Sequence, residues 1–341
     1  MRMQRNQMIT VLGGLLLLSI AIITLTIFCF STKNKLKINQ KPKQDISIYG
    51  DSIAFQSQAC KKLQTFLFFI GYPRSGHSLI GSIIDAHPHA IVAHEYDVIG
   101  KWPQLKSSKN DQHQQLLYQL YNNSRYHAVS GKRAPTLSSS NIYSYHIPNE
   151  WQGRYQGDIK VIGDKQGGKT TRHFRLDEQK STAVVDYLKL KLRIDVKFIH
   201  VVRNPYDVIS TAYIRRYGKR QTDPTKQQEY ISNVDMKKLR RIINHFFADA
   251  KINWHLKDRL NDTVLDIYTS DVIANPKKQV MKICLFLQLE CSQQYISHTT
   301  GIIHAFQSKT RNYIYWPPNL IKMVAKRLIQ YPFLSQFTFK N

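Results

Sequence analysis

Acidic side chains are scarce in this 341-residue chain: 23 Asp and Glu stand against 49 Lys and Arg, a formal net charge of +26. That excess favours anionic partners such as nucleotide phosphates, acidic glycans, acidic peptides, nucleic acid or a membrane surface, without choosing among them. Cysteine is rarer still, with four residues. Cys29 falls in an apolar N-terminal run, and Cys60, Cys284 and Cys291 remain. A Cys284–Cys291 bridge and a reduced Cys284 buried on a helix are both compatible with that spacing. There is no CxxC pair and no HExxH, so no metal site is indicated. Repeats and low-complexity tracts are absent. Hydrophobic residues reach 42%, enough for a sizeable core, which excludes a disordered chain. The basic run Lys237 to Arg241 reads as a solvated helix face. It lacks the interleaved aromatics of a nucleic-acid platform, and nucleic acid ranks last among the partners.

Ile9 to Phe30 carries no charge and is long enough to cross a bilayer once. No small-x-small cleavage site follows, so residues 9–30 read as an uncleaved signal anchor behind a tail of residues 1–8. Residues 31–62 are polar and lysine-rich and read as a stem. Residues 63–341 form one α/β domain. Flanking charge argues for a cytosolic domain: Arg2 and Arg5 precede the span, while Lys33, Lys35, Lys37, Lys41 and Lys43 follow it. Two glycosylation sequons, Asn122-Asn-Ser124 and Asn261-Asp-Thr263, argue for a lumenal one.

The chain is organised around residues 66–88. Phe66 to Ile70 is a short apolar run, the pattern of a strand buried on both faces. Gly71 to Gly76 is a glycine-bounded turn, and Leu79, Ile80, Ile83 and Ile84 then recur at helical spacing until His87-Pro88. Strand, glycine turn and helix direct backbone N–H groups at one spot, where a phosphate or sulfate can sit. The spacing Gly71-x-x-x-x-Gly76-His77-Ser78 is a Walker A pattern with His77 in the lysine position, and the loop's cation is Arg74. The pattern predicts a P-loop-like, doubly wound parallel sheet with helices on both faces.

Pro73-Arg-Ser-Gly-x-Ser-Leu79 followed by Asp85-Ala-His-Pro88 resembles the 5′-phosphosulfate loop of the sulfotransferases, especially the tyrosylprotein enzymes and their carbohydrate-modifying relatives. The resemblance implies 3′-phosphoadenosine 5′-phosphosulfate (PAPS) as co-substrate and no metal. It implies a cofactor cradle of Arg74, Ser75, Gly76, His77 and Ser78, and a Golgi, type II, single-pass enzyme with a lumenal domain. Glu95 ends the apolar run Ala90 to His94, 21 residues after Arg74, the separation of the catalytic glutamate in the tyrosylprotein enzymes. His94 is the rival base.

Further motifs extend the resemblance to residue 316. Gly163-Asp-Lys165 looks like a strand end that would set Lys165 beside the phosphosulfate, with Lys169 a weaker candidate. Val196 to Val202 reads as a buried strand, and Arg203-Asn-Pro205 as a turn into a helix. This is similar to the family's 3′-phosphate motif, an arginine with a hydroxyl eight residues on. Arg203 ranks first, Thr211 second and Ser210 third. Asn275-Pro276 reads as a helix start, and the basic loop Ser308 to Trp316 offers Lys309 and Arg311 as cofactor contacts. Helices are expected at 110–122, 181–191 and 235–260, with an acceptor-binding insertion or irregular connector at 123–158. The resemblance implies sulfuryl transfer with Glu95 as base and Arg74 and Lys165 as cations. The expected acceptor is a glycan or glycoprotein, with tyrosylprotein sulfation as the alternative. A P-loop kinase or NTPase with a degenerate loop, and a non-catalytic binder of acidic glycans, are the competing classes.

Overall fold

In the computed structural model, strand β1 (Thr65–Gly71) is buried along its whole length, because helices cover both of its faces. The structure describes residues 60–106, 112–135, 145–218 and 229–341. The expected tail, the 9–30 span and the stem up to residue 59 lie outside these residues. Among the described residues, no helix is long and apolar enough to cross a membrane.

From β1 the chain passes through α1 (His77–Asp85), β2 (Ala90–His94), α2 (Val98–Lys106) and α3 (Gln112–Val129) to β3 (Val161–Lys165). It continues with α4 (Gly168–Leu176), α5 (Glu178–Leu192), β4 (Asp195–Val202), α6 (Pro205–Tyr217), α7 (Met236–Leu260) and β5 (Val264–Tyr268). Helices α8 (Thr269–Ala274), α9 (Pro276–Leu287), α10 (Gln293–Gly301) and α11 (Pro318–Leu328) close the domain. The five strands pair in parallel in the order β2-β3-β1-β4-β5.

Alternate residues of β1 feed opposite cores. Phe66, Phe68 and Ile70 pack with Leu116 of α3, Phe174 of α4 and Val184 of α5. Leu67 and Phe69 pack with Ile80 and Ile84 of α1, Val272 of α8 and Ile283 of α9. Both faces are therefore dry, which is why the strand reads as a continuous apolar run. A third cluster joins Tyr206 of α6, Phe247 of α7 and Leu320 of α11. The connection after β1 leads away to β2 and that after β4 to β5, so the sheet changes direction between two adjacent strands. Ligands of open α/β sheets bind at such a point, outside the carboxyl ends of the strands. Gly71 is paired with Val201, so both chains leave the sheet at one height.

Two expectations change. Helix α3 runs on to Val129, seven residues past the polar position where periodicity fails, because tertiary contacts hold it. Ser124 donates to both oxygens of Asp85 at 2.7 and 2.9 Å. Asp85 also accepts from Val92 N at 2.7 Å and Gly153 N at 3.2 Å, and it pairs with the guanidinium of Arg133. Ser124 is fully buried, so the Asn122-Asn-Ser124 sequon is part of a packed helix, while Asn261 is exposed. Asn275 precedes Pro276 as expected, but its side chain caps nothing. The Cys284–Cys291 disulfide is formed; Cys60 is free, its thiol pushed up to about 12 by burial.

Asp85 and Arg133 are both fully buried, and leaving one charge unpaired there is expensive. Arg133→Met is expected to lower stability by about 3–5 kcal/mol in urea unfolding, and Arg133→Met with Asp85→Asn to recover much of that loss.

Candidate active site

The turn after β1 depends on two left-handed residues, Arg74 within it and Gly76 at its end. Gly76 sits at φ 92°, where a side chain would be strained. Arg74, which is not glycine, is held at φ 74°, a costly conformation that surrounding contacts must enforce. Helix α1 starts with no side-chain cap, so its first N–H groups are left to a ligand or water. The Ser75 hydroxyl is buried with no partner among the described residues.

Across the sheet edge, Lys165 ends β3 with its side chain 2% exposed. Its Nζ lies 2.9 Å from Glu95 Oε1, 3.1 Å from Ser78 Oγ and 3.5 Å from His94 Nε2. One ammonium therefore links the expected base to the expected anion cradle. The stem of Lys165 crosses α1 at Gly81, where a Cβ would come within 2.8 Å of Lys165 Cγ. Burial lowers the pKa of Lys165 against the pull of Glu95. Glu95 itself is 61% exposed at its side chain, within reach of an incoming molecule. Burial raises its carboxyl, but the charge and hydrogen bond of Lys165, then Arg74, outweigh this and hold it below its usual 4.5.

Glu95 also adopts a left-handed conformation, φ 59°, as does Asp97 at 73°. The buried carboxylate of Asp164 explains how: it accepts from Tyr96, Asp97 and Val98 N–H at 3.0, 2.8 and 3.1 Å. Burial pushes its pKa up to about 6, against those three bonds. Sequence reasoning gave Asp164 no role, because its partners lie about 68 residues away. The His94 imidazole is driven far below its usual value by burial, then by Lys165 and Arg133. It packs against the ring of His127, with centroids 4.6 Å apart and the planes tilted by 45°; His127 is another residue the sequence did not single out. Lys169 leaves the cleft to pair with Asp97 at 2.7 Å.

The second corner follows β4. Arg203 donates through Nη1 to the Arg74 carbonyl at 3.0 Å and through Nη2 to the Ser308 carbonyl. The two arginine turns are thus in contact. Thr310 Oγ1 lies 3.4 Å from Arg203 Nη2 and 2.9 Å from Thr211 Oγ1. Both hydroxyls are within hydrogen-bond distance of the Asp207 carbonyl, at 2.7 and 2.8 Å. Arg203, Thr211 and Thr310 converge on one patch; Thr310 lay hidden in a loop a hundred residues downstream.

Three expected ligands are placed elsewhere. His77 is buried against Phe69 with Nε2 3.3 Å from the Ile70 carbonyl. Burial, then Lys165, lowers its pKa to about 3, so the ring is neutral packing and only its backbone faces the turn. Ser210 is fully buried and accepts from Trp316 Nε1 at 2.9 Å. Arg311 is buried in an ion pair with Asp207 at 3.2 Å, which pins the 308–313 loop beside Arg203 instead of offering a cation. Among the described residues no cluster of His, Cys, Asp or Glu is placed to hold a metal ion.

A phosphosulfate fits this donor set. Arg74, Lys165, Ser78 and an uncapped helix start surround one end of the cleft, and Arg203 with two hydroxyls marks the other. Residues 67–293 match the model of the sulfotransferase family. No curated protein matches the chain. Among solved structures, the sulfotransferase domain of the Synechococcus PCC 7002 olefin synthase is similar at 13% identity, over 78% of this chain and 86% of that one, with a TM-score of 0.37. Mouse sulfotransferase SULT7A1 complexed with PAP is similar at 14% identity, over 87% and 85%, with a TM-score of 0.35. Sulfotransferase STF9 from Mycobacterium avium is similar at 9% identity, over 83% and 80%, with a TM-score of 0.42.

Asp164→Ala would strand three N–H groups at once, two of them buried and that of Asp97 half-buried. It is expected to destabilise the domain by roughly 2–4 kcal/mol and to release the 95–98 turn, seen as faster amide exchange at Tyr96 to Val98.

Proposed function

The chain belongs to the sulfotransferase family, and we propose that it transfers a sulfuryl group from PAPS to a hydroxyl of a carbohydrate acceptor. The observation that carries this reading is the position of Lys165, within 2.9 Å of the Glu95 carboxylate and 3.1 Å of the Ser78 hydroxyl. Basic charge and an exposed carboxylate at the cleft suit a hydroxyl-bearing, acidic glycan.

PAPS bound in the cleft supplies the sulfuryl group and a bisphosphate leaving group. Arg74, Lys165, Ser78 and the amides of Gly76 to Ser78 would hold its 5′-phosphosulfate end; Arg203, Thr211 and Thr310 would hold the 3′-phosphate. Glu95 takes the acceptor's hydroxyl proton on a carboxylate oxygen as the new S–O bond forms. Lys165 and Arg74, fixed before reaction, stabilise the negative charge that develops on the departing side. His94 is the weaker candidate for the proton, because its ring is buried with Nε2 3.5 Å from the Lys165 ammonium. The ammonium already beside it opposes a second positive charge. A lumenal, membrane-anchored placement is part of the proposal. The Cys284–Cys291 disulfide supports an oxidising compartment.

Transfer of labelled sulfate from PAPS, screened over glycosaminoglycans, N-glycans and tyrosyl peptides, tests both reaction and acceptor. Arg74→Ala and Glu95→Ala are each expected to lower kcat by about 10²–10⁴-fold with unchanged circular dichroism. Full activity in both variants overturns the catalytic assignment, and transfer to tyrosyl peptides alone overturns the glycan. Because Glu95 is held below its usual value, it is ionised above that pH, and activity is lost only as pH falls through its lowered pKa. The acid limb of kcat/KM is therefore expected below 4.5; a limb near about 6.5 would overturn a Glu95 held at a lowered pKa as the base.

A further inference from the structure

Helix α7 passes the level of the β1 turn midway along its length. Phe246 stacks on Tyr72 with centroids 4.2 Å apart, and Asn253 accepts from Thr171 at 2.8 Å, which itself accepts from Gly71 N. The residues before Phe246 therefore project past the sheet edge, by about 1.5 Å each. There they line a shallow groove of about 390 Å³ formed by Lys237, Arg240, Arg241, Asn244 and His245. Helix α4, whose first glycine abuts Pro73, brings Arg172 to the same region one turn later, and α6 brings Arg216. Partial burial, then Arg175, Arg216, Arg241 and Arg172, hold the His245 imidazole below its usual value. Positive charge from three helices thus acts on one ring. Among the described residues only Arg175 of these has a carboxylate partner, Asp249 at 2.9 Å. Asp249 also faces Arg172; the remaining cations concentrate positive charge that a bound polyanion would neutralise. Among the described residues no Phe, Tyr or Trp lines the groove, which disfavours stacking nucleic-acid bases.

We infer that this shelf of α4, α6 and α7 is a second binding site, for the anionic stretch of a polymeric acidic glycan whose acceptor hydroxyl reaches Glu95. The inference deepens the sulfuryl-transfer reading, but its binding arm stands without it. Fluorescein-labelled heparin octasaccharide, titrated at about 0.15 M salt, is the probe. The Lys237→Ala/Arg240→Ala/Arg241→Ala variant is expected to bind on the order of tenfold more weakly, the product of three exposed ion pairs at roughly twofold each, and with a shallower salt dependence. The charge-matched Lys180→Ala/Lys189→Ala/Lys191→Ala variant on α5 is expected to bind as wild type does. Arg240→Gln/Arg241→Gln repeats the measurement should the triple variant melt early. With whichever acidic chain accepts sulfate, the shelf variant is expected to raise KM several-fold, leaving kcat and the KM of a disaccharide acceptor unchanged. Equal loss in both triple variants, or none in the shelf variant, overturns the site. A single-stranded DNA oligomer bound as tightly, and weakened alike, overturns the glycan. Absence of transfer to every acceptor would count against the enzymatic reading while the octasaccharide titration still decided the shelf.

Discussion

A lysine ammonium held almost out of water at the end of an inner strand sets the terms for the rest of this domain. Stripping Lys165 of solvent is expensive unless acceptors replace the water, and the fold supplies Glu95 and Ser78 for that purpose. Supplying Glu95 forces a left-handed residue where β2 ends. That strain is tolerated because the neighbouring Asp164 gathers the next three N–H groups. Supplying Ser78 requires α1 to begin close to β3. The Glu95 carboxylate, the Ser78 hydroxyl at the start of α1 and the Lys165 ammonium are thus one electrostatic unit spread over three elements.

The change of direction between β1 and β4 does the equivalent work for the second arginine. Both strands end at the same level, and the Arg203 guanidinium reaches the Arg74 carbonyl. The buried Asp207–Arg311 pair then fastens a loop from the far end of the chain over this corner. What looked like a reserve of cations near the C-terminus is a structural rivet, and its neighbour Thr310 is the residue turned to the site.

Much of this was readable in advance because it is local. The β1 run, the turn, and the start of α1 are contiguous, so their chemistry shows as a spacing. Arg203 and Glu95 were legible as strand-end residues of an α/β sheet. Ser210 and Thr211 could not be separated by counting, since only the packing of Trp316 decides which hydroxyl is consumed. His77 was ambiguous for a related reason: in a phosphate-type loop it could serve as a ligand or merely fill the lysine's place, and its ring packs beneath the sheet edge. Asp164 and Thr310 lay inside segments the sequence singled out, but their own roles, like that of His127, were hidden because each matters through partners distant in sequence. The extension of α3 was hidden likewise, resting on Ser124 reaching Asp85.

Gly81 sits mid-helix in α1, where replacing glycine by alanine ordinarily stiffens a protein by roughly 0.5–1 kcal/mol. Here the added methyl would occupy the path of the Lys165 stem. The domain has kept its first helix weaker than it need be so that a charged side chain can lie across it. Thermostabilising substitutions chosen by helix propensity alone would thus select this position and trade away the chemistry for rigidity.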